Sequence, residues 1–353
     1  MYYFLTASKD ASIYLQQPTQ NTGLDEILEV SKTYYGNLKD VARSFIQFNL
    51  TSLSSSIVIG EVTMSSAELI LRETETSEIP IPYSLYVHPV SQSWEMGPGT
   101  RFDEISGDGI TWNHKSTGVS WLVADELSPD STGSYNGKGG TWYTSSFSTQ
   151  SYDYESSDLQ LDVKDIMDLW LDGSLPNNGF IIKHNSSFEN DVIDYGLLKF
   201  FSKETNTIYQ PKIRIGWDDS SFETGSLTEL DSDDIHVTFK RLKTKYKVGS
   251  KPEIRVFGRE KYPLKTYTNL YSYNDVKYLP STTYYQIKDV VTDEIVIPFS
   301  DYSKVSCDSN GNFFKLNLTT WETNREYYIE IKVDRDGVVE YFSDKDLTFL
   351  VEK

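Results

Sequence analysis

Short stretches in which apolar and polar residues alternate recur along this chain, and they constrain it more than any other feature. Ser66-Ala-Glu-Leu-Ile-Leu-Arg72, Tyr83-Ser-Leu-Tyr-Val-His88, Gly179-Phe-Ile-Ile-Lys183, Leu197-Leu-Lys-Phe-Phe201 and Lys212-Ile-Arg-Ile-Gly216 all lie between turn formers. Successive side chains of a strand point to opposite faces, so a period of two describes antiparallel strands with one face buried. Aromatic and β-branched side chains pack well on such pleated surfaces, and 25 tyrosines and 17 phenylalanines extend the same reading to the whole chain. Helical spacing stands out once. In Asp162-Val-Lys-Asp-Ile-Met-Asp-Leu-Trp-Leu-Asp-Gly173, Val163, Ile166, Leu169 and Trp170 share a face, Asp162 can cap the start and Gly173 can end the helix.

Trp217 to Asp234 holds seven acids and no Lys or Arg. Self-repulsion and low hydrophobicity keep such a segment extended and solvated. It divides the chain into a first domain at 1–217, an acidic linker at 218–233 and a second domain at 234–353. Alternation resumes at Ile235, Val237 and Phe239 and again at Tyr327, Ile329, Ile331 and Val333. Asn310-Gly-Asn and Asp334-Arg-Asp-Gly read as hairpin turns. Evenly spaced strands without a second helix give an immunoglobulin- or fibronectin-III-like β-sandwich. The Ser-, Gly-, Thr- and Tyr-rich stretch from Ser131 to Ser157 reads as surface loops around at most one strand.

Composition removes several functions. The 33 basic residues against 52 acids give a net charge of −19, which repels nucleic acid and anionic membrane surfaces, so neither is expected as a partner. Cys307 is alone and lies in a turn, so neither an internal disulfide nor a Cys-built zinc site can form. His88, His114, His184 and His236 are scattered, without the spacing of a metal cage or triad. Gly137-Lys-Gly-Gly140 lacks the strand and helix of a phosphate loop. No carboxylate pair is singled out for glycosidase chemistry, and the expectation is a protein that is not an enzyme. The first residues lack a secretory signal, and no apolar run reaches the ~20 residues of a membrane span.

The first domain resembles the DNRLRE family, also described as a family 96 carbohydrate-binding module. The resemblance rests on Asp10-Ala-Ser-Ile-Tyr14, Pro18-Thr-Gln-Asn-Thr-Gly23, Leu28-Glu-Val30 and Arg43-Ser-Phe-Ile-Gln-Phe48. Thr111-Trp-Asn113, the helical segment, Asn177-Asn-Gly-Phe-Ile-Ile-Lys183, Phe200-Phe-Ser-Lys-Glu204 and Pro211-Lys-Ile213 continue it to about residue 216. It implies an antiparallel jelly-roll sandwich with one short helix. Arg43, Phe48, Trp170, Phe180 and Phe200 are then core or corner residues, and the match transfers a fold better than a function. The whole layout is also similar to virion structural proteins of contractile-tailed marine phages. That resemblance implies a location in the virion, assembly in the host cytoplasm, and other virion proteins or a second copy as partners.

Three groups of residues are candidates for function. Trp94, Trp121, Trp142 and Tyr143, with Tyr135 nearby, lie in the loop-rich middle. Exposed rings there would stack on a host glycan or anchor a protein interface, and packing or an interface is favoured over sugar. Lys240, Arg241, Lys243, Lys245 and Lys247 form a basic cluster in an acidic chain, suited to local charge balance or an acidic neighbour. Glu189, Asp191 and Asp194 in one loop, and Asp103 and Asp108 in another, are weak calcium candidates because they place hard oxygen ligands close together. No other cofactor is expected.

Overall fold

The protein is described here by a computed structural model covering residues 1–75, 78–122, 131–132, 138–232, 234–264, 267–268, 274–335 and 337–353. It falls into two compact units, Leu5–Arg214 and Met1–Phe4 together with Ile215–Lys353. The fold is all-β, a jelly-roll sandwich followed by an immunoglobulin-like sandwich. No helix among the described residues is long and apolar enough to cross a membrane.

The first unit is built on a sheet ordered Ser148–Tyr152, Tyr83–Pro89, Phe180–His184, Leu38–Phe48, Tyr2–Tyr14, Lys212–Gly216, Ser66–Leu71 and Leu159–Asp162. Ile27–Tyr35 pairs with Leu38–Phe48 and also carries Gly196–Phe201. All five residues of Phe180–His184 are buried, so this strand is covered on both faces. Phe45 lies opposite Ala11 and Ile181 on its neighbouring strands, with the rings of Trp94 and Trp121 5.7 and 5.6 Å away. Trp112, Trp142, Ile13 and Ile110 complete that core.

Among the described residues three α-helices interrupt the strands: α1 Thr51–Val58, α2 Lys164–Leu171 and α3 Ser186–Asn190. Only α2 is legible in the sequence. It buries Ile166, Met167 and Trp170, its first turn is held by Asp162 Oδ1 accepting from the Lys164 N–H at 2.8 Å, and Gly173 follows at φ +80°. The other two escape because serine competes with the backbone for hydrogen bonds and is a poor helix former. α3 is a single turn capped by Asn185, whose Oδ1 accepts from the Ser187 N–H at 3.0 Å.

The second unit packs two sheets around one core. In the first sheet Glu253–Glu260 pairs with Ile235–Lys240, Lys277–Tyr278 and Gly311–Lys315; in the second Arg325–Arg335 lies between Thr283–Asp289 and Val338–Glu352. Tyr285 and Phe314 stack across the core with centroids 4.1 Å apart, surrounded by Ile254, Ile329 and Val351. Tyr2 and Phe4 belong to the same core, edge-on to Tyr302 and Trp321. The Asn310-Gly turn joins two paired strands, with Asp308 opposite Gly311.

Residues 218–232 are not a free linker. Leu230 is buried and donates its N–H to Tyr278 O at 2.8 Å, Thr228–Glu229 pairs with Lys277–Tyr278, and Glu223 N–H reaches Cys307 O at 2.9 Å. The acids that suggested an extended chain, Asp218, Asp219, Glu223 and Glu229 among them, stay exposed while the backbone pairs beneath them. Charge along a sequence reports the surface it faces and leaves backbone pairing undetermined.

Gly179 shows how tightly the first unit closes. At φ +85°, a Cβ here would stand 2.3 Å from Ile46 O. Gly179→Ala therefore combines an unfavourable backbone region with a backbone clash, and we expect a loss of about 1–3 kcal/mol in urea unfolding. An unchanged midpoint would show that the turn relaxes freely.

Candidate functional site

Leu38–Phe48 places Arg43 inside the first unit, where an isolated charge would be costly. α3 supplies the answer. Arg43 Nε donates to Glu189 Oε1 at 3.0 Å and Nη2 to Oε2 at 2.6 Å, with both residues buried. Nη1 donates to the Gly139 carbonyl, and the guanidinium lies 4.8 Å from the Trp112 ring and 5.2 Å from that of Trp142. Lys183, from the central strand, comes within 3.4 Å of Glu189 Oε2, donates to His184 O at 2.5 Å and to Ser186 Oγ at 3.3 Å, and sits 4.8 Å from the Trp142 ring. Burial pushes the Lys183 amine down to about 8, against the pull of Glu189. Burial alone would raise the Glu189 carboxyl, but Arg43 and Lys183 outweigh it and hold it below the usual carboxylate range.

A second charge lies alongside. Lys32, fully buried, donates to Ile193 O at 2.6 Å and pairs with Asp191 Oδ1 at 3.5 Å. Tyr195 OH donates to Asp191 Oδ2 at 2.7 Å. His184 is 1 % exposed, and neither ring nitrogen has a partner. Tyr83 lies 4.6 Å from its ring. Burial, reinforced by Lys183 and Lys32, lowers the imidazole to about 4.

This arrangement neutralises charge and does little chemistry. Glu189 is held ionised, so it cannot serve as a general acid near neutrality, and His184 touches neither a nucleophile nor an orienting carboxylate. Cys307 is buried in the other unit, its Sγ 3.5 Å from Asp308 O, and burial raises its thiol.

The aromatic residues of the loop-rich middle lie largely inside the unit. Gly and Ser flank Trp142 as they would an exposed loop residue, yet it is 6 % exposed, and Trp94 and Trp121 are buried with it. The flanking glycines serve close packing instead. A Cβ at Gly139 would meet Arg43 Nη1 at 2.7 Å, and one at Gly140 would meet the Phe45 ring at 2.4 Å. Trp94 and Trp121 donate their indole N–H groups to Asn178 O and Thr111 O. Tyr143 is half-buried, and Tyr135 lies outside the described residues.

The calcium candidates are likewise occupied or apart. Glu189 and Asp191 serve the cations above, Asp194 Oδ1 accepts from Gly196 N–H, and Asp103 Oδ2 accepts from Thr100 Oγ1. Asp108 is exposed. Among the described residues no group of three or more His, Cys, Asp or Glu is placed to hold a metal. Lys240, Arg241, Lys243, Lys245 and Lys247 are all exposed; Lys240 Nζ lies over the Phe257 ring and Lys245 pairs with Glu352 at 3.3 Å.

Lys183 and Lys32 were missed as partners of the acids. The signal was available in part: Lys183 ends a run, Phe180-Ile-Ile, too apolar on both faces for a half-exposed strand.

No family model matches this chain, and no curated protein does. Among solved structures, two of the β-glucuronidase of Parabacteroides merdae, one with glycerol in its active site, align over 82% of this chain at 9% identity. The TM-scores are 0.17 and 0.15, and the alignments cover 29% and 28% of the enzyme. The chain thus spans less than a third of that enzyme's length, and so slight a likeness carries no argument about fold or activity.

The buried neutral imidazole makes acid sensitivity specific. The unfolded chain takes up this proton near 6.5 and the folded one only near 4, so the contribution is complete above about 6.5 and falls away as pH drops toward 4. Wild type should lose up to about 3 kcal/mol more than His184→Phe across that window in urea unfolding. His88, also lowered to about 4 by burial, is common to both proteins and cancels. Parallel pH curves would remove His184 from the argument.

Proposed function

We propose that this chain is a non-enzymatic structural protein of a phage particle, an adaptor or decoration of the tail, neck or baseplate that acts through protein–protein interfaces. Its first unit is then a DNRLRE-type jelly roll. The placement in a particle rests on the sequence resemblance. The observation that supports a contact role is how side chains are divided between interior and surface. Inside the first unit Arg43, Lys183 and Lys32 pair with Glu189 and Asp191, whereas large apolar side chains stand in water. Tyr35 and Leu38 flank the Gly36-Asn37 turn at 87% and 67% exposure, and Phe102, Tyr262 and Leu264 are exposed to a similar degree. At the Gly36-Asn37 turn such side chains offer a partner an aromatic anchor, the kind of group that contributes most to interfaces.

The basic cluster of the second unit adds a charged contact. On a chain at −19, five exposed cations would recognise an acidic surface of a neighbouring protein, or of a second copy, and fix register. Replacing Lys240, Lys243 and Lys247 by Glu should lower incorporation into assembled particles by about tenfold or more while the melting temperature stays unchanged, and high salt should weaken incorporation of wild type. Absence of the protein from purified particles would overturn the virion reading. Equal, salt-insensitive incorporation of the variant would overturn the role of the cluster.

A further inference from the structure

We propose that the second unit pairs with a second copy of itself through the open edge of one sheet, the backbones of Val339, Tyr341 and Ser343 meeting their counterparts across a two-fold axis. The strand Val338–Glu352 is held on one side by Arg325–Arg335. On its other side only Leu350–Glu352 is covered, by Lys245–Lys247, so among the described residues its first half is a sheet edge. Hydrogen bonding alternates from side to side along an antiparallel strand. Asp334 donates its N–H to Thr282 O at 3.2 Å, so Asp334, Lys332 and Glu330 turn toward the strand Thr283–Asp289. Their partners Val339, Tyr341 and Ser343 turn N–H and C=O away from the hairpin, toward the open edge.

Natural sheets guard such edges with short strands, prolines, bulges or lysines. The opposite edge of this sheet, Ile295–Ile297, is three residues long and runs into Pro298. The covering strand Lys245–Lys247 carries lysines. Val338–Ser343 has neither lysine nor proline. Its one charge, Glu340, is paired with Arg335, and the next lysine, Lys345, is turned to Asp293 at 3.6 Å. Val338 and Tyr341 are 63% and 65% exposed, and both residue types favour strands.

Charge makes the edge complementary to itself in one register. In a two-fold antiparallel pair, centring on Glu340 sets Glu340 against Glu340, and centring on Phe342 sets it against Asp344. Like charges directly opposite one another destabilise a ladder. Centring on Tyr341 sets Glu340 against Phe342, Val339 against Ser343 and Tyr341 against its own counterpart, with no like charges opposed. The register slip beyond Ser343 ends the pairing there. So short a contact makes a weak dimer, with a Kd in the micromolar range. It is separate from the basic cluster and does not rest on a place in a virion.

Sedimentation equilibrium of the full chain from about 5 to 500 μM tests the proposal. A monomer–dimer equilibrium should appear and tighten as salt screens the −19 charge that each copy carries, the opposite of the salt effect expected at the basic cluster. Tyr341→Lys, which guards the edge as natural sheets do, should weaken it by about tenfold or more with the melting temperature little changed. Under mild oxidation Tyr341→Cys should form a disulfide-linked dimer, whereas Val339→Cys, opposed to Ser343, should not; Cys307 is buried and does not compete. A monomer throughout would give the edge to some other strand and overturn the proposal, as would equal association by Tyr341→Lys or equal cross-linking at both positions.

Discussion

The Arg43–Glu189 ion pair is the contact on which the first unit depends. It joins residues 146 apart in sequence, through two parallel hydrogen bonds shielded from water. Taking either ion out of water costs several kcal/mol, and attraction repays that only with good geometry and further hydrogen bonds. Both are present here. Lys183 shares the carboxylate, the Gly139 carbonyl takes the remaining guanidinium edge, and Trp112 and Trp142 offer ring faces to the cations. The pair thereby fixes α3 and the Gly139-Gly140-Thr-Trp142 segment against the strands that carry Arg43 and Lys183. Losing one partner would strand a charge where water cannot reach it.

Much of the fold was written in local pattern. Period two marked the strands, 3.6-residue spacing marked α2, and Asn-Gly marked a hairpin, because each depends on neighbours a few residues away. What escaped depends on contacts between distant segments. Gly139 and Gly140 look like a flexible, exposed loop in sequence, yet they are small because Arg43 and Phe45 come from elsewhere to press on them. Glu189 and Asp191 look like a cation site, yet the cations they serve are side chains on three strands. The acids of 218–233 suggested a solvated tether, and only the pairing with Lys277–Tyr278 shows that segment as part of a sheet edge.

Function follows the same division. Arg43, Lys183 and Lys32 are spent on Glu189 and Asp191, which fixes the shape of this part of the unit. At the surface stand the exposed Tyr35 turn of the first unit and the basic run of the second.

The most direct test of the central ion pair is a double-mutant cycle on Arg43→Met and Glu189→Leu, followed by tryptophan fluorescence in urea. Trp94, Trp112, Trp121, Trp142 and Trp170 lie in the first unit, so the signal reports chiefly on it. Each single variant should lose about 3–5 kcal/mol, and the double variant clearly less than the sum, with a coupling above about 2 kcal/mol. Small, additive losses would contradict the view that this pair holds the unit together.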